Sequence, residues 1–139
     1  QNLKIELVES MLVDDLQKTI DKMTELRQLG VQISMDDFGT GYSSLQYLKN
    51  LPLNQIKIDQ SFVFNMLNSD KDKAIVQAMI ELGKAFKFDV IVEGVETRET
   101  YLKLKEMGCF YYQGYYFAKP QPISEIDKLN FNKQGHVAL

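Results

Sequence analysis

The stretch VQISMDDFGTGYSSL, residues 31–45, joins an apolar run to a glycine-rich segment through two adjacent aspartates, Asp36 and Asp37. Its first five residues alternate apolar and polar side chains, which is the pattern of a β-strand with one buried face. The two aspartates therefore come directly after the end of this predicted strand. Because neighbouring carboxylates repel each other, the pair predicts a partner that neutralises them.

The rest of the chain repeats this arrangement of strand, polar residue and helix. Strand-like runs occur at LKIEL (3–7), VQISM (31–35), QIKID (55–59), DVIV (89–92) and CFYYQGYYF (109–117), the last one interrupted by Gly114. Apolar residues at helical spacing lie between them, at 12–26, 42–51, 74–86 and 98–107, and one more helix is expected from about residue 122. Strands separated by helix-sized connections predict parallel βαβ units.

The parity of the side chains predicts a barrel. One face of every strand is apolar and suits packing against helices, whereas the opposite face ends in a polar residue at the carboxyl edge of the strand. This pattern is typical of a (β/α) barrel, in which polar groups converge at the C-terminal mouth. A closed barrel needs eight strands and about 200 residues or more. We therefore predict an α/β fold, a partial (β/α)8 barrel of about five parallel strands, with residues 1–139 as the C-terminal portion of one domain.

Composition narrows the class of protein. A formal net charge of −3 argues against a protein that coats DNA or RNA, and a hydrophobic content of 45% indicates a globular chain. The single cysteine, Cys109, excludes an intrachain disulfide and fits a reducing compartment. No apolar run approaches the ~18 residues of a membrane span, so we expect a cytoplasmic domain, with a membrane anchor elsewhere in a longer parent protein left open.

Polar side chains at the strand ends predict a shared site. They are Glu6, Glu9, Asp36, Asp37, Lys57, Asp59, Glu93, Glu96 and Gln113. Converging carboxylates without a histidine suit a hard cation, Mg²⁺ or Mn²⁺. Adjacent aspartates suit two ions about 3.5–4 Å apart, an arrangement that activates water and stabilises phosphoryl transfer.

Simpler structural roles compete with this interpretation. A single carboxylate at a strand end is usually a turn or cap residue, and Gly39 and Gly41 serve by default as turn formers, although they also suit a loop that closes over a ligand. The tyrosines at 111–116 suit core and wall better than a base-stacking platform, and Cys109 suits the core. Five strands that end with the same parity favour the shared site.

At these residues the sequence resembles the EAL-domain family, the cyclic di-GMP phosphodiesterases of bacterial signalling. The matching segments run in order: ELVES (6–10), DDFGTGYSSL (36–45), IKID (56–59), EGVET (93–97) and QGYYFAKP (113–120). The resemblance implies a modified (β/α)8 barrel that hydrolyses one phosphodiester bond of cyclic di-GMP with Mg²⁺ or Mn²⁺, giving linear pGpG.

The resemblance also implies individual roles. Glu6 and Asp36 would bind the first metal, Asp36 and Asp37 the second, and Glu93 would be the general base or a ligand of the second metal. Lys57 would hold the attacking water and the phosphate. The remaining matched positions would support the loops or the pocket: Glu9, Gly39, Thr40, Gly41, Tyr42, Asp59, Glu96 and Gln113.

Departures from the family pattern bear on activity. Val8 stands where the family usually has threonine, and the sequence contains neither the E-A-L motif nor the metal-binding asparagine of a following strand. We therefore expect this chain by itself to be inactive or weak, while its intact signatures indicate an active parent enzyme. Open sheet edges predict a homodimer or larger assembly, and an upstream sensory or GGDEF-type domain is consistent with the family.

Two other functions compete. A non-catalytic cyclic di-GMP receptor is the first, although degenerate receptors usually lose the aspartate pair, the lysine or the EGVE glutamate, all of which are present. A phosphoacceptor receiver domain is the second, because Asp36, Asp37, Asp59 and Lys119 superficially resemble its acidic pair, phosphorylated aspartate and lysine. Asp59 follows Asp37 at roughly half the spacing of a receiver, which argues against that class.

Overall fold

Alternating strands and helices make up the chain, as the sequence predicts. The computed structural model describes residues 3–9, 16–41 and 45–126. The elements are β1 (Lys4–Val8), α1 (Leu16–Gln28), β2 (Gln32–Phe38), α2 (Leu45–Leu48), β3 (Gln55–Ile58), α3 (Gln60–Phe64), α4 (Asp70–Phe86), β4 (Asp89–Val92), α5 (Arg98–Glu106), β5 (Tyr111–Tyr112) and α6 (Ile123–Ile126).

The five strands form one parallel sheet in sequential order, β1-β2-β3-β4-β5. Doubly wound sheets, including those of receiver domains, reverse their strand order at a switch point, whereas barrels run sequentially around the axis. The sheet described here has no reversal. This confirms the predicted partial (β/α)8 architecture and excludes the receiver reading.

The helices cover one face of the sheet and form the core with it. Ile5, Ile33 and Met23 enclose an apolar space between α1 and the first two strands. On α4, Val76, Ile80 and Gly83 are buried, and partly buried apolar side chains of the same helix pack beside them. A Cβ atom at Gly83 would overlap the methyl group of Val90, so the glycine allows α4 to lie close against β4.

Some sequence-predicted elements have different bounds. The predicted fifth strand over 109–117 is present only at Tyr111–Tyr112 and is wrong on both sides of them. Gly114 lies so close to the Val95 backbone that a Cβ atom there would overlap it, and the chain turns over 115–117. The predicted third strand ends at Ile58, since Asp59 caps α3, a helix that the sequence pattern did not indicate. Predicted helical residues 12–15 and 42–44 lie outside the described residues.

The expected core roles hold for Cys109, Tyr112 and Tyr116, whereas Tyr111 and Tyr115 are exposed. Tyr101 of α5 makes ring contacts with Tyr112, Tyr116 and Phe117. Cys109 is buried, and burial raises the pKa of its thiol. Among the described helices none is long and apolar enough to cross a bilayer.

The two outer strands of the described sheet carry exposed apolar groups. Leu3 beside β1 is 60% exposed and Phe110 beside β5 is 66% exposed. Unpaired edges with apolar residues favour association. Assembly through these edges stays a prediction, because the structure contains one chain.

Gly83 provides a test of the helix–sheet packing. Replacing it with alanine improves helix propensity by about 1 kcal/mol, but an overpacked core typically costs about 1–3 kcal/mol. The overlapping atom belongs to the short, β-branched Val90, which has little room to move. We expect Gly83→Ala to lower the free energy of unfolding in a urea titration. In a Val90→Ala background the same substitution should be neutral or stabilising, and an equal loss in both backgrounds would contradict this packing.

Candidate active site

Lys57 occupies the centre of the predicted site. It lies on β3, the middle strand, and points to the face opposite the helices, where carboxylates from β1, from β2 and from the residue after β4 surround its ammonium. Its Nζ lies 2.8 Å from Oε1 of Glu93, 2.9 Å from Oδ1 of Asp36 and 3.4 Å from Oε2 of Glu6. Four of the predicted residues, contributed by β1, β2, β3 and the end of β4, are therefore brought together.

Charge balance decides the character of this cluster. The Lys57 side chain is 9% exposed, and an ammonium so buried must be paired. Burial alone lowers the pKa of Lys57, but hydrogen bonds and charges from Glu93 and Asp36 outweigh burial and raise it above its usual value. Lys57 is thus a fixed positive charge at neutral pH. Three carboxyl groups around one ammonium give the cluster more acidic than basic groups, a composition that favours a further cation.

A β-bulge explains how two adjacent aspartates fit at one strand end. Met35 pairs with Ile56 and Phe38 with Ile58, so that β2 contains one more residue than β3 in this interval. Asp37 adopts a left-handed backbone with a φ of 54°. The extra residue lets Met35 and Phe38 both enter the core while Asp36 faces Lys57. Asp37 is then half-buried beside Asp36 rather than forced into the apolar layer.

Glu9 fastens the glycine turn that follows the bulge. Its Oε2 accepts hydrogen bonds from the backbone N–H groups of Gly39, at 2.8 Å, and Gly41, at 3.1 Å. A Cβ atom at Gly41 would lie 2.9 Å from Cδ of Glu9, so the position needs a glycine for this close approach. Glu9 is buried, and its carboxylate is positioned to support this loop.

An open cleft of about 560 Å³ adjoins the Lys57 cluster. It lies beyond the ends of β4 and β5. Glu93 both lines the cleft and pairs with Lys57, so the cleft and the cluster adjoin at this residue. The residues that line it are Gln60, Glu93, Gly94, Glu96, Gln113, Gly114, Tyr115, Ala118, Lys119 and Pro120. Its position at the carboxyl ends of parallel strands is where barrel proteins bind their ligands.

The family model described as EAL domain matches residues 1–120. The chain belongs to the EAL domain family. It is 41% identical over 126 residues to the cyclic di-GMP phosphodiesterase NbdA of Pseudomonas aeruginosa, which is 91% of this chain and 16% of that protein.

Solved structures agree with the family assignment. The EAL domain of Mycobacterium smegmatis DcpA matches with a TM-score of 0.86 and 41% identity, over 97% of this chain and 60% of that one. Klebsiella pneumoniae BlrP1, in a manganese and cyclic di-GMP complex, matches with a TM-score of 0.77 and 31% identity, over 84% and 30% of the two chains. This EAL chain thus spans 60% or less of each of these three proteins.

One oxygen of the EAL chain suits the divalent metal that its family implies. Oδ1 of Asp36 is buried and faces the Lys57 ammonium at 2.9 Å, with no other hydrogen-bond partner among the described residues. A buried carboxylate oxygen with unused lone pairs is a suitable ligand for Mg²⁺ or Mn²⁺. In the ranges 3–9, 16–41 and 45–126, no three His, Cys, Asp or Glu side chains are arranged to hold a metal. The donor type fits, with Asp36 as its anchor.

The other predicted residues have distinct positions. Asp59 caps α3 by accepting from the Ser61 N–H, a structural role at that position. Glu96 and Gln113 line the cleft with Glu93. Thr40 donates its hydroxyl to the Asp37 carbonyl across the turn. Tyr42 lies outside the described residues.

Sequence reasoning did not single out Gln60, Tyr115 or Lys119 as cleft residues. Lys119 lies with its ammonium 5.5 Å from the Tyr115 ring centroid, so the two form a cation–π pair in the cleft wall. Their position in the QGYYFAKP segment, directly after Gln113, is the signal that would have found them. Gln60 follows IKID in the same way.

The bulge at Asp37 predicts a ranking of substitutions. A left-handed backbone disfavours β-branched side chains by about 1–3 kcal/mol, whereas glycine and asparagine accept it. We expect Asp37→Val to lower the free energy of unfolding by about that amount, while Asp37→Asn and Asp37→Gly stay close to the parent chain. Urea unfolding of the three variants measures this ranking. Equal stability of the valine and asparagine variants would show that the bulge is not strained.

Proposed function

We propose that this chain is the C-terminal portion of a metal-dependent EAL phosphodiesterase that hydrolyses cyclic di-GMP to linear pGpG. The observation that carries the proposal is the Lys57 ammonium, held by Glu93 at 2.8 Å and Asp36 at 2.9 Å beside an open cleft. Support comes from the relative named as a cyclic di-GMP phosphodiesterase and from the neighbour that holds manganese with cyclic di-GMP.

The proposed reaction adds water across one phosphodiester bond. Lys57 holds the phosphate and the attacking water by charge and hydrogen bonding, since its ammonium stays protonated at neutral pH. Glu93, which contacts both Lys57 and the cleft, accepts the proton of that water as general base. The water oxygen bonds to phosphorus as the bond to the leaving ribose oxygen breaks, so that the ring opens to the linear dinucleotide.

Glu6, Asp36 and Asp37 would hold the divalent ions. A pair of bound Mg²⁺ or Mn²⁺ ions would supply Lewis-acid stabilisation of the charge that develops on the phosphoryl oxygens. Gln113, Glu96 and Lys119 in the cleft wall offer hydrogen-bond and charge contacts to the dinucleotide. The turn at Gly39–Gly41 and its support Glu9 keep the aspartates in place.

Binding without turnover is the second candidate function for this chain by itself. The specific observation in its favour is that no three possible ligands among the described residues are arranged to hold a metal ion, because the Lys57 ammonium lies between the carboxylates. The cleft and Lys57 would still accept an anionic dinucleotide. Cyclic di-GMP binding by calorimetry with no release of pGpG, in this chain and in a version extended by the expected E-A-L strand, would favour this function over hydrolysis.

Replacing Glu93 by glutamine tests the catalytic proposal. The amide keeps the size of the side chain but accepts no proton, and loss of a general base typically costs about 10²–10⁴-fold in rate. We expect that loss in pGpG production by an extended domain that includes the E-A-L strand. Glu99→Gln, on the exposed first turn of α5, is the matched control and should leave the rate unchanged. Near-normal turnover in a folded Glu93→Gln variant would refute the assignment.

The two aspartates should differ in metal affinity. Oδ1 of Asp36 is buried against the Lys57 ammonium, whereas Asp37 lies on the bulge. Since even residues that merely support ligands change metal affinity by about 10–100-fold, we expect Asp36→Asn to weaken Mn²⁺ binding by at least about tenfold and more than Asp37→Asn does. Calorimetric Mn²⁺ titration measures both. A larger loss at Asp37 would reverse the assignment of the anchoring ligand.

A further inference from the structure

The glycine turn after the bulge is held from two sides. Glu9 binds the N–H group of Gly39 from one side at 2.8 Å. On the other side, a Cβ atom at Gly39 would lie 3.0 Å from Cε2 and 3.2 Å from Cζ of Phe62, and would overlap the terminal methyl of Met79. Phe62 and Met79 therefore form an apolar support directly beneath the turn.

Phe62 lies on α3, the short helix that directly follows the strand of Lys57. Asp59, two residues after Lys57, caps α3 and so fixes where Phe62 emerges. The Phe62 N–H donates to the Asp59 carbonyl at 3.2 Å. Met79 lies on α4, which packs against α3. The position of Lys57 on β3 and the position of the turn after Asp36 and Asp37 are consequently linked through one short helix.

The backbone at the turn needs such support. Asp37 has a φ of 54°, which a residue with a side chain adopts only at a cost, and Gly39 has a φ of 98°, which its lack of a side chain allows. Within the turn, the Asp37 carbonyl accepts hydrogen bonds from the hydroxyl and from the backbone N–H of Thr40. Holding Gly39 between a carboxylate and an apolar floor favours this conformation, and with it the direction of the two aspartates.

We propose that Phe62 and Met79 are positioning residues that set the Gly39 turn, and through it Asp36 and Asp37, relative to Lys57. The proposal rests on the phosphodiesterase function for its effect on turnover, but its structural part stands without it. Phe62 is neither an ion-pair partner of Lys57 nor one of the described residues that line the cleft. Its effect on the reaction is indirect.

The chain offers matched controls for both residues. Phe64 lies on α3 with Phe62 but is 81% exposed, and Ile75 lies on α4 with Met79 and is 39% exposed. Phe62→Ala and Met79→Ala remove the support, whereas Phe64→Ala and Ile75→Ala shorten exposed apolar side chains on the same helices. Phe62→Leu keeps apolar bulk beneath Gly39.

Amide hydrogen exchange, followed by NMR, is the readout that does not depend on activity. We expect the Gly39 and Gly41 amides to exchange about 10-fold faster or more in Phe62→Ala and Met79→Ala, with the β3 amides of Ile56 and Ile58 unchanged. The two control variants should match the parent chain, and Phe62→Leu should restore most of the protection. Unchanged glycine protection, or equal acceleration in β3, would overturn the proposal. If Phe62→Ala fails to fold, Met79→Ala and Phe62→Leu carry the same comparison.

Turnover of cyclic di-GMP by the extended domain with Mn²⁺ forms the second arm. Misplaced catalytic groups cost rate rather than substrate affinity, so we expect kcat to fall about 10- to 100-fold with KM changed less than about twofold. An unchanged kcat in a variant whose Gly39 amide exchanges faster would overturn the link to catalysis. Absence of turnover in the parent protein would instead refute the phosphodiesterase function, and hydrogen exchange would then decide the positioning role alone.

Discussion

The buried ammonium of Lys57 is the group on which the site depends. A charge in this position is tolerated only because carboxylates from neighbouring strand ends surround it, and each of those carboxylates is brought there by a different strand. The parallel sheet in sequential order delivers all of them to one edge. The fold therefore places several acidic side chains around one ammonium group. The excess of acidic groups favours binding of further cations at the same place.

The bulge in β2 resolves the conflict between core and site. Strict alternation would send one of two successive aspartates into the helical layer, where an unpaired carboxylate is costly. One extra residue in the left-handed conformation restores Phe38 to the core and leaves both aspartates at the mouth. Glu9 and the apolar pair below Gly39 then stabilise a backbone that local preference would not choose.

Much of this was predictable from side-chain periodicity, because burial on one face imposes it. The parallel strands, the barrel-like order and the meeting of Glu6, Asp36, Lys57 and Glu93 follow from alternation and from which end of a strand carries the polar residue. The bulge was not predictable, because the alternation of side chains in a strand assumes that every residue pairs in register with the neighbouring strand. The short length of β5 was also not predicted. Its tyrosines are typical of a strand, but the strand ends where Gly114 approaches the Val95 backbone. The local sequence does not reveal this contact, because Val95 is distant along the chain. Asp59 follows a strand, as the predicted site residues do, yet it caps α3. The position of a carboxylate after a strand does not tell a ligand from a helix cap.

The two walls of the active-site region are fastened by different means. On the cleft side, Val95 donates its N–H to the Gln113 carbonyl and accepts from the Tyr116 N–H, so the loops after β4 and β5 are joined by main-chain bonds. On the aspartate side, the turn is fixed by the side chains of Glu9, Phe62 and Met79. Main-chain bonds survive most amino-acid replacements, whereas side-chain supports change with each one. Divergence among relatives can therefore retune the aspartate wall in small steps while the opposite wall keeps a constant shape.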